Sequence, residues 1–164
     1  MRFDTFSLIT AALLLGPLTA ACGNPTADAQ KAKAARAPVL PPSNDPLDQA
    51  VARQSAKYAG GMLAHDNPFR GDLAEGAEQD FLIVLTGGHC YKAIGVADAN
   101  VGDIDLSLVD PDGVQVQQDT ARDAFPVLGM ESPLCLQEPG AYRLHVRMRT
   151  GAGAFLVRFF KTDE

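Results

Sequence analysis

Three cysteines and three histidines carry most of the reactive chemistry available to this chain: Cys22, Cys90 and Cys135, with His65, His89 and His145. His89 and Cys90 are neighbours, which suggests a thiolate activated by an imidazole. On a strand, however, successive side chains point to opposite faces, so adjacency separates the pair. A metal site could combine His89 with Cys90 and Cys135, yet the sequence holds no Cys-x-x-Cys or His-x-x-x-His spacing. It has no Gly-x-Ser-x-Gly elbow for a serine hydrolase, and no glycine-rich loop between a strand and a helix to cradle phosphate. Paired carboxylates for glycoside hydrolysis are a matter of three-dimensional separation, which sequence does not give. The reading is a protein without catalysis of its own, with a small hydrolase as an alternative.

Charge offers two further constellations. Asp103, Asp105, Asp110 and Asp112 are candidates for calcium. Asp103 and Asp105 share one face of a strand, roughly 6–7 Å apart, while Asp110 lies roughly 16 Å beyond Asp105 along extended chain. One ion cannot gather all four, and Asp110-x-Asp112-Gly113 is shorter than a loop that supplies six or more oxygens. The competing reading makes Asp110 a turn cap and leaves Asp103 and Asp105 on the solvent side. Arg143, His145, Arg147 and Arg149 form a basic stripe in an otherwise acidic domain. They are either a docking face for an acidic polymer or protein, or partners of carboxylates across the sheet, at about 0.2–1 kcal/mol for each pair. The net charge of −6 argues against a partner recognised through nucleic-acid phosphates. The lack of any Trp leaves no stacked platform for sugars. No cofactor is implied.

The elements that must position these residues are mostly strands. Ile104, Leu106 and Leu108 alternate with Asp105 and Ser107, and Val114 and Val116 alternate with Gln115 and Gln117. Asp110-Pro111-Asp112-Gly113 between them is a turn, with Pro fixing φ and Gly supplying the positive φ. Gln79 to Leu85 carries apolar residues on both faces, as a central strand would. Cys90–Ala97, Phe125–Met130, Leu134–Leu136, Ala141–Met148 and Ala154–Phe160 complete eight or nine short strands, a sandwich or barrel pattern. Residues 45–64 precede them as one short amphipathic helix, capped by Asp45 or Asn44 with Pro46 in the first turn. Leu47, Val51, Ser55, Tyr58 and Met62 make its stripe, which docks on its own domain or on a partner. Residues 22–44 read as a flexible tether rich in Ala and Pro with Lys31, Lys33 and Arg36. The β-domain spans residues 66–164.

The N-terminus supplies an address. Leu8 to Leu18 is an apolar run too short to span a bilayer as a mature helix. It leads into Leu18-Thr19-Ala20-Ala21-Cys22, which resembles a bacterial lipobox. That resemblance implies a signal peptide over residues 1–21, cleavage before Cys22, and palmitate-type acylation plus a diacylglycerol thioether on Cys22. Several acyl chains anchor a protein stably. The alternative is an ordinary signal peptide cut after Ala20 or Ala21. Gly23, in place of an Asp that would signal inner-membrane retention, points to the outer membrane. Cys90 and Cys135 then remain as two thiols in an oxidising compartment, the arithmetic of one disulfide.

A resemblance runs across Arg70 to Phe160. Arg70-Gly71-x-Leu73-x-x-Gly76, Phe81 in a strand, Gly88-x-Cys90-Tyr91, Asp103-x-Asp105-Leu106-x-Leu108-x-Asp110-x-x-Gly113, Gly140-x-Tyr142-x-Leu144-x-Val146 and Gly153-x-Phe155 follow in order. The series resembles the bacterial pre-peptidase C-terminal (PPC) domain, in the form found in myxobacterial secreted proteins and lipoproteins. The resemblance implies an all-β, jelly-roll-like sandwich. It carries no peptidase, because the remainder reads as signal, tether and one helix. The expected whole is a lipid-anchored protein of the cell envelope that binds or scaffolds, with the membrane and an envelope protein or acidic polysaccharide as partners. A calcium- or polysaccharide-binding accessory module is the alternative.

Overall fold

A computed structural model describes residues 37–163. Helix α1, Pro46–Tyr58, comes first. Nine strands follow: β1 Met62–Leu73, β2 Glu78–Leu85, β3 Cys90–Ala97, β4 Val101–Val109, β5 Gln115–Gln118, β6 Val127–Leu128, β7 Leu134–Cys135, β8 Gly140–Gly151 and β9 Gly153–Thr162. They form two antiparallel sheets packed as a sandwich. The five-stranded sheet runs β1-β9-β3-β6, with β7 also on β3, and the four-stranded sheet runs β2-β8-β4-β5. Most connections pass from one sheet to the other, as in a jelly roll.

The hairpin that dominates the sequence forms as its turn chemistry demands. Asp110 Oδ1 accepts from the N–H groups of Asp112 and Val114 at 3.0 and 2.8 Å. Gly113 takes φ +84° and donates to the Asp110 carbonyl. Val114 falls in the turn and is exposed, so only Val116 of that pair packs toward the core. Strand alternation then builds the interior. Ile104, Leu106 and Leu108 of β4 and Leu144, Val146 and Met148 of β8 meet Tyr91 and Ala93 of β3 and Phe155, Val157 and Phe159 of β9. The Tyr91 hydroxyl is satisfied inside this layer. It accepts from the Thr86 N–H and donates to the Thr86 carbonyl, both at 3.0 Å, tying the β2–β3 turn to the core.

The outer face of the five-stranded sheet is also apolar, and α1 covers it. Leu47 and Val51 bury against Ile94, Val96, Leu156 and Phe160. Asp45 caps the helix, its Oδ1 accepting from the N–H groups of Leu47 and Asp48. Arg70 of β1 reaches back to Asp45 at 3.1 Å and Asp48 at 2.5 Å, and Lys92 donates to the Tyr58 carbonyl at the other end. The helix therefore docks on its own domain.

Three sequence expectations need correction. The helix stops at Tyr58, and Met62 to Ala64, expected at its end, belong to β1. Gly61 at φ +79° redirects the chain, and Met62 stays buried on the same apolar face that the helix covers. Phe125–Met130 contains only the two-residue β6, with Phe125 and Met130 exposed. Finally, β2 is an edge strand, not a central one: Leu82 and Val84 on its outer face are 70% and 58% exposed.

Candidate functional site

The residues singled out for chemistry fall in three places. Cys90 and Cys135 lie directly opposite each other across the β3–β7 pairing and form a disulfide. His89, beside them, uses its ring to hold the last strand: Nδ1 sits 3.1 Å from the Thr162 carbonyl, and the Cys90 N–H donates to Thr162 Oγ1. His65 Nε2 lies 3.2 Å from the Val84 carbonyl and its ring packs edge-on to Tyr91. Neither histidine faces a thiol nucleophile, because the sulfurs are spent on each other.

The second place is the outer face of the four-stranded sheet. Register sets β2 beside β8 and β8 beside β4, so Glu78 pairs with Arg147, Asp80 with His145, and Asp105 with Arg147. The basic stripe thus runs between two rows of carboxylates. His145 Nδ1 meets Asp80 Oδ1 at 2.7 Å, with Glu78 3.7 Å from Nε2. Arg147 Nε lies 3.3 Å from Glu78, within ion-pair reach but outside hydrogen-bond geometry. Arg143 is 3.9 Å from Asp80. Arg149 bonds Asp105, and that bond holds the guanidinium pKa above its ordinary value. The stripe is a compensated ion-pair network on a broad face, and exposed pairs of this kind each contribute roughly 0–1 kcal/mol.

The third place is the first half of β4 and the turn that follows it. Asp103 near its start and Asp105 at its middle lie with Gln118, Thr120, Arg122 and Arg149 around a shallow depression. Burial, then the charge of Asp105, raises the Asp103 pKa, and Asp103 Oδ1 is buried without a hydrogen-bond partner. Asp110 and Asp112 lie at the opposite end, in the hairpin turn, where Asp110 is occupied by backbone N–H groups. The structure does not bring the four carboxylates together. Among the described residues no group of three or more His, Cys, Asp or Glu is arranged to hold a metal ion.

Asp119 is a buried carboxylate that the sequence reading missed. Its Oδ2 accepts from the Val127 N–H at 3.0 Å and its Oδ1 from the Ala121 N–H at 3.1 Å, pinning the loop between β5 and β6. Burial nonetheless leaves its pKa raised. Its flank, Gln117-Gln118-Asp119-Thr120, carries no local mark of burial, which is why sequence could not find it. Cys22 and the basic tether residues lie outside the described residues. No helix among those described is long and apolar enough to cross a membrane. The chain matches no family model and no curated protein.

Proposed function

We propose that this is a lipid-anchored protein of the bacterial cell envelope whose sandwich binds or scaffolds and does not catalyse. One observation carries the reading. Each cysteine and histidine of the sandwich has a structural partner: the sulfurs each other, His89 and His65 backbone carbonyls, His145 a carboxylate. The side chains best suited to nucleophilic and acid–base work are thus committed to holding the fold. The lipobox-like Leu18–Cys22 supports the anchor, with the outer membrane favoured by Gly23.

The PPC resemblance is part of this proposal. The motif residues occupy structural stations that suit such a domain: Arg70 ties β1 to α1, Asp110 and Gly113 make the β4–β5 turn, and Phe155 fills the core. The envelope partner, whether protein or acidic polysaccharide, would meet the charged face of β2, β8 and β4.

A screen of the purified full-length protein against ester, peptide and glycoside substrates tests the non-catalytic reading. No turnover is expected. Turnover abolished by a single substitution at His145 or Asp103 would overturn it. The calcium alternative rests on Asp103 and Asp105, and Arg149 already neutralises one of them. Calorimetry is expected to give no micromolar calcium binding, and tight binding lost in Asp105→Ala would reinstate that alternative.

A further inference from the structure

A sandwich has sheet edges, and three of the four here are blunted in ways that prevent pairing with another chain. β1 is broken between His65 and Phe69 by a register shift that contains Pro68 and Asp66 at φ +52°. β6 and β7, which share the opposite edge of that sheet, are two residues each. β5 has four residues and faces a register shift in β4. β2 has none of these devices. Its eight residues, Glu78 to Leu85, pair with β8 without interruption and include no Pro, Gly or Lys. The two residues most suited to association, Leu82 and Val84, are its most exposed aliphatics.

The backbone polarity of this edge follows from two contacts. The Ala77 carbonyl accepts from Met148 N–H, so it faces β8, whereas the Val84 carbonyl faces away, toward His65. Alternation in an antiparallel pair then turns the N–H and C=O groups of Asp80 and Leu82 outward. No strand of the described residues pairs with them.

We propose that β2 is a dimerisation edge, which pairs antiparallel with β2 of a second copy about a twofold axis at Phe81. A twofold contact must be self-complementary, and the outward side chains Glu78, Asp80, Leu82 and Val84 meet that demand in one register. An axis at Asp80 would set Asp80 against its own copy. An axis at Leu82 would put Asp80 opposite Val84, whose carbonyl His65 already engages, and leave only the central Leu82 pair free to exchange hydrogen bonds. An axis at Phe81 sets Asp80 opposite Leu82 and Glu78 opposite Val84 of the partner, so the engaged Val84 carbonyl falls only at the outer ends and both central Asp80–Leu82 pairs are free. No two carboxylates are then directly opposed, and Asp80 and Leu82 exchange the free backbone hydrogen bonds. The two four-stranded sheets become one continuous sheet, with the charged face running across it.

Light scattering and amide exchange on the full-length protein in mild detergent test this. The expected result is a dimer in which the Asp80 and Leu82 amides exchange slowly. Leu82→Glu, which opposes two carboxylates, is expected to give a folded monomer with the Cys90–Cys135 bond intact. Asp80→Lys added to Leu82→Glu restores the dimer by making the opposed pair attractive. Gln115→Glu on the blunted β5 edge leaves the dimer unchanged. A monomeric wild-type protein, a dimer indifferent to Leu82→Glu, or a double variant that stays monomeric would each overturn the proposal. So would Asp80 and Leu82 amides in a monomer that become protected only when envelope extract is added, which would assign the edge to a foreign strand.

Discussion

Cys135 is exposed, while six of the eight residues of the strand that faces it, β3, are buried. The bond between Cys135 and Cys90 spans a sequence separation of 45 residues. In the chain-entropy view such a closure stabilises by about 4 kcal/mol. Cys135→Ala is accordingly expected to cost about 2–5 kcal/mol in urea unfolding. An unchanged unfolding midpoint on reduction of the wild type would contradict a stabilising role for the disulfide. Asp119 offers a second test at this scale. Asp119→Ala leaves the Val127 and Ala121 N–H groups unpaired and is expected to cost about 1–3 kcal/mol. Because burial raises its pKa above 3.8, the folded state holds the Asp119 proton more tightly than the unfolded chain does. Its titration therefore favours folding below 3.8, and that contribution is lost as pH rises through the folded-state value. The stability difference between wild type and Asp119→Asn should fall as pH rises across that window, and a difference that grows would contradict the assignment.

At the scale of elements, α1 and the outer face of the five-stranded sheet depend on each other. Phe160 lies fully buried beneath the helix, so Phe160→Ala is expected to cost about 3–5 kcal/mol by leaving a cavity there. The helix start adds a pH response of the opposite sign. The Asp48 N–H above all, with that of Leu47 and the Arg70 charge, holds Asp45 below its ordinary 3.8 against a smaller desolvation effect. Its stabilisation is present above 3.8 and lost as pH falls through the folded-state value. Amide protection in α1 should therefore decrease in acid sooner in wild type than in Asp45→Asn. How legible each element was follows from how local its causes are. The β4–β5 hairpin could be read because Asp110, Pro111 and Gly113 determine the turn by themselves. The first half of β1 could not, because Asn67-Pro68 breaks the alternation and the strand exists only through its pairing with β9. Whether β2 is central or an edge is decided by strand order, which residues 78–85 do not encode. Two apolar faces fit either answer.

The described residues form a sandwich braced by a helix, and the lipobox-like Leu18–Cys22 is the part of the chain on which the proposed anchor rests. The sandwich was legible as a class from short alternating strands and Gly/Pro turns. The charged residues were legible by type but not by arrangement, since only register places Glu78 and Asp80 beside the basic stripe and neutralises it. We propose that this sandwich is held to a membrane through Cys22. The direct measurement is incorporation of labelled fatty acid, with membrane partitioning, in wild type and in Cys22→Ser expressed from the full-length gene. Labelled, membrane-bound wild type is expected, and unlabelled protein released from membranes for Cys22→Ser. A Cys22→Ser protein that remains labelled and membrane-bound, or a wild type that is never labelled, would contradict it.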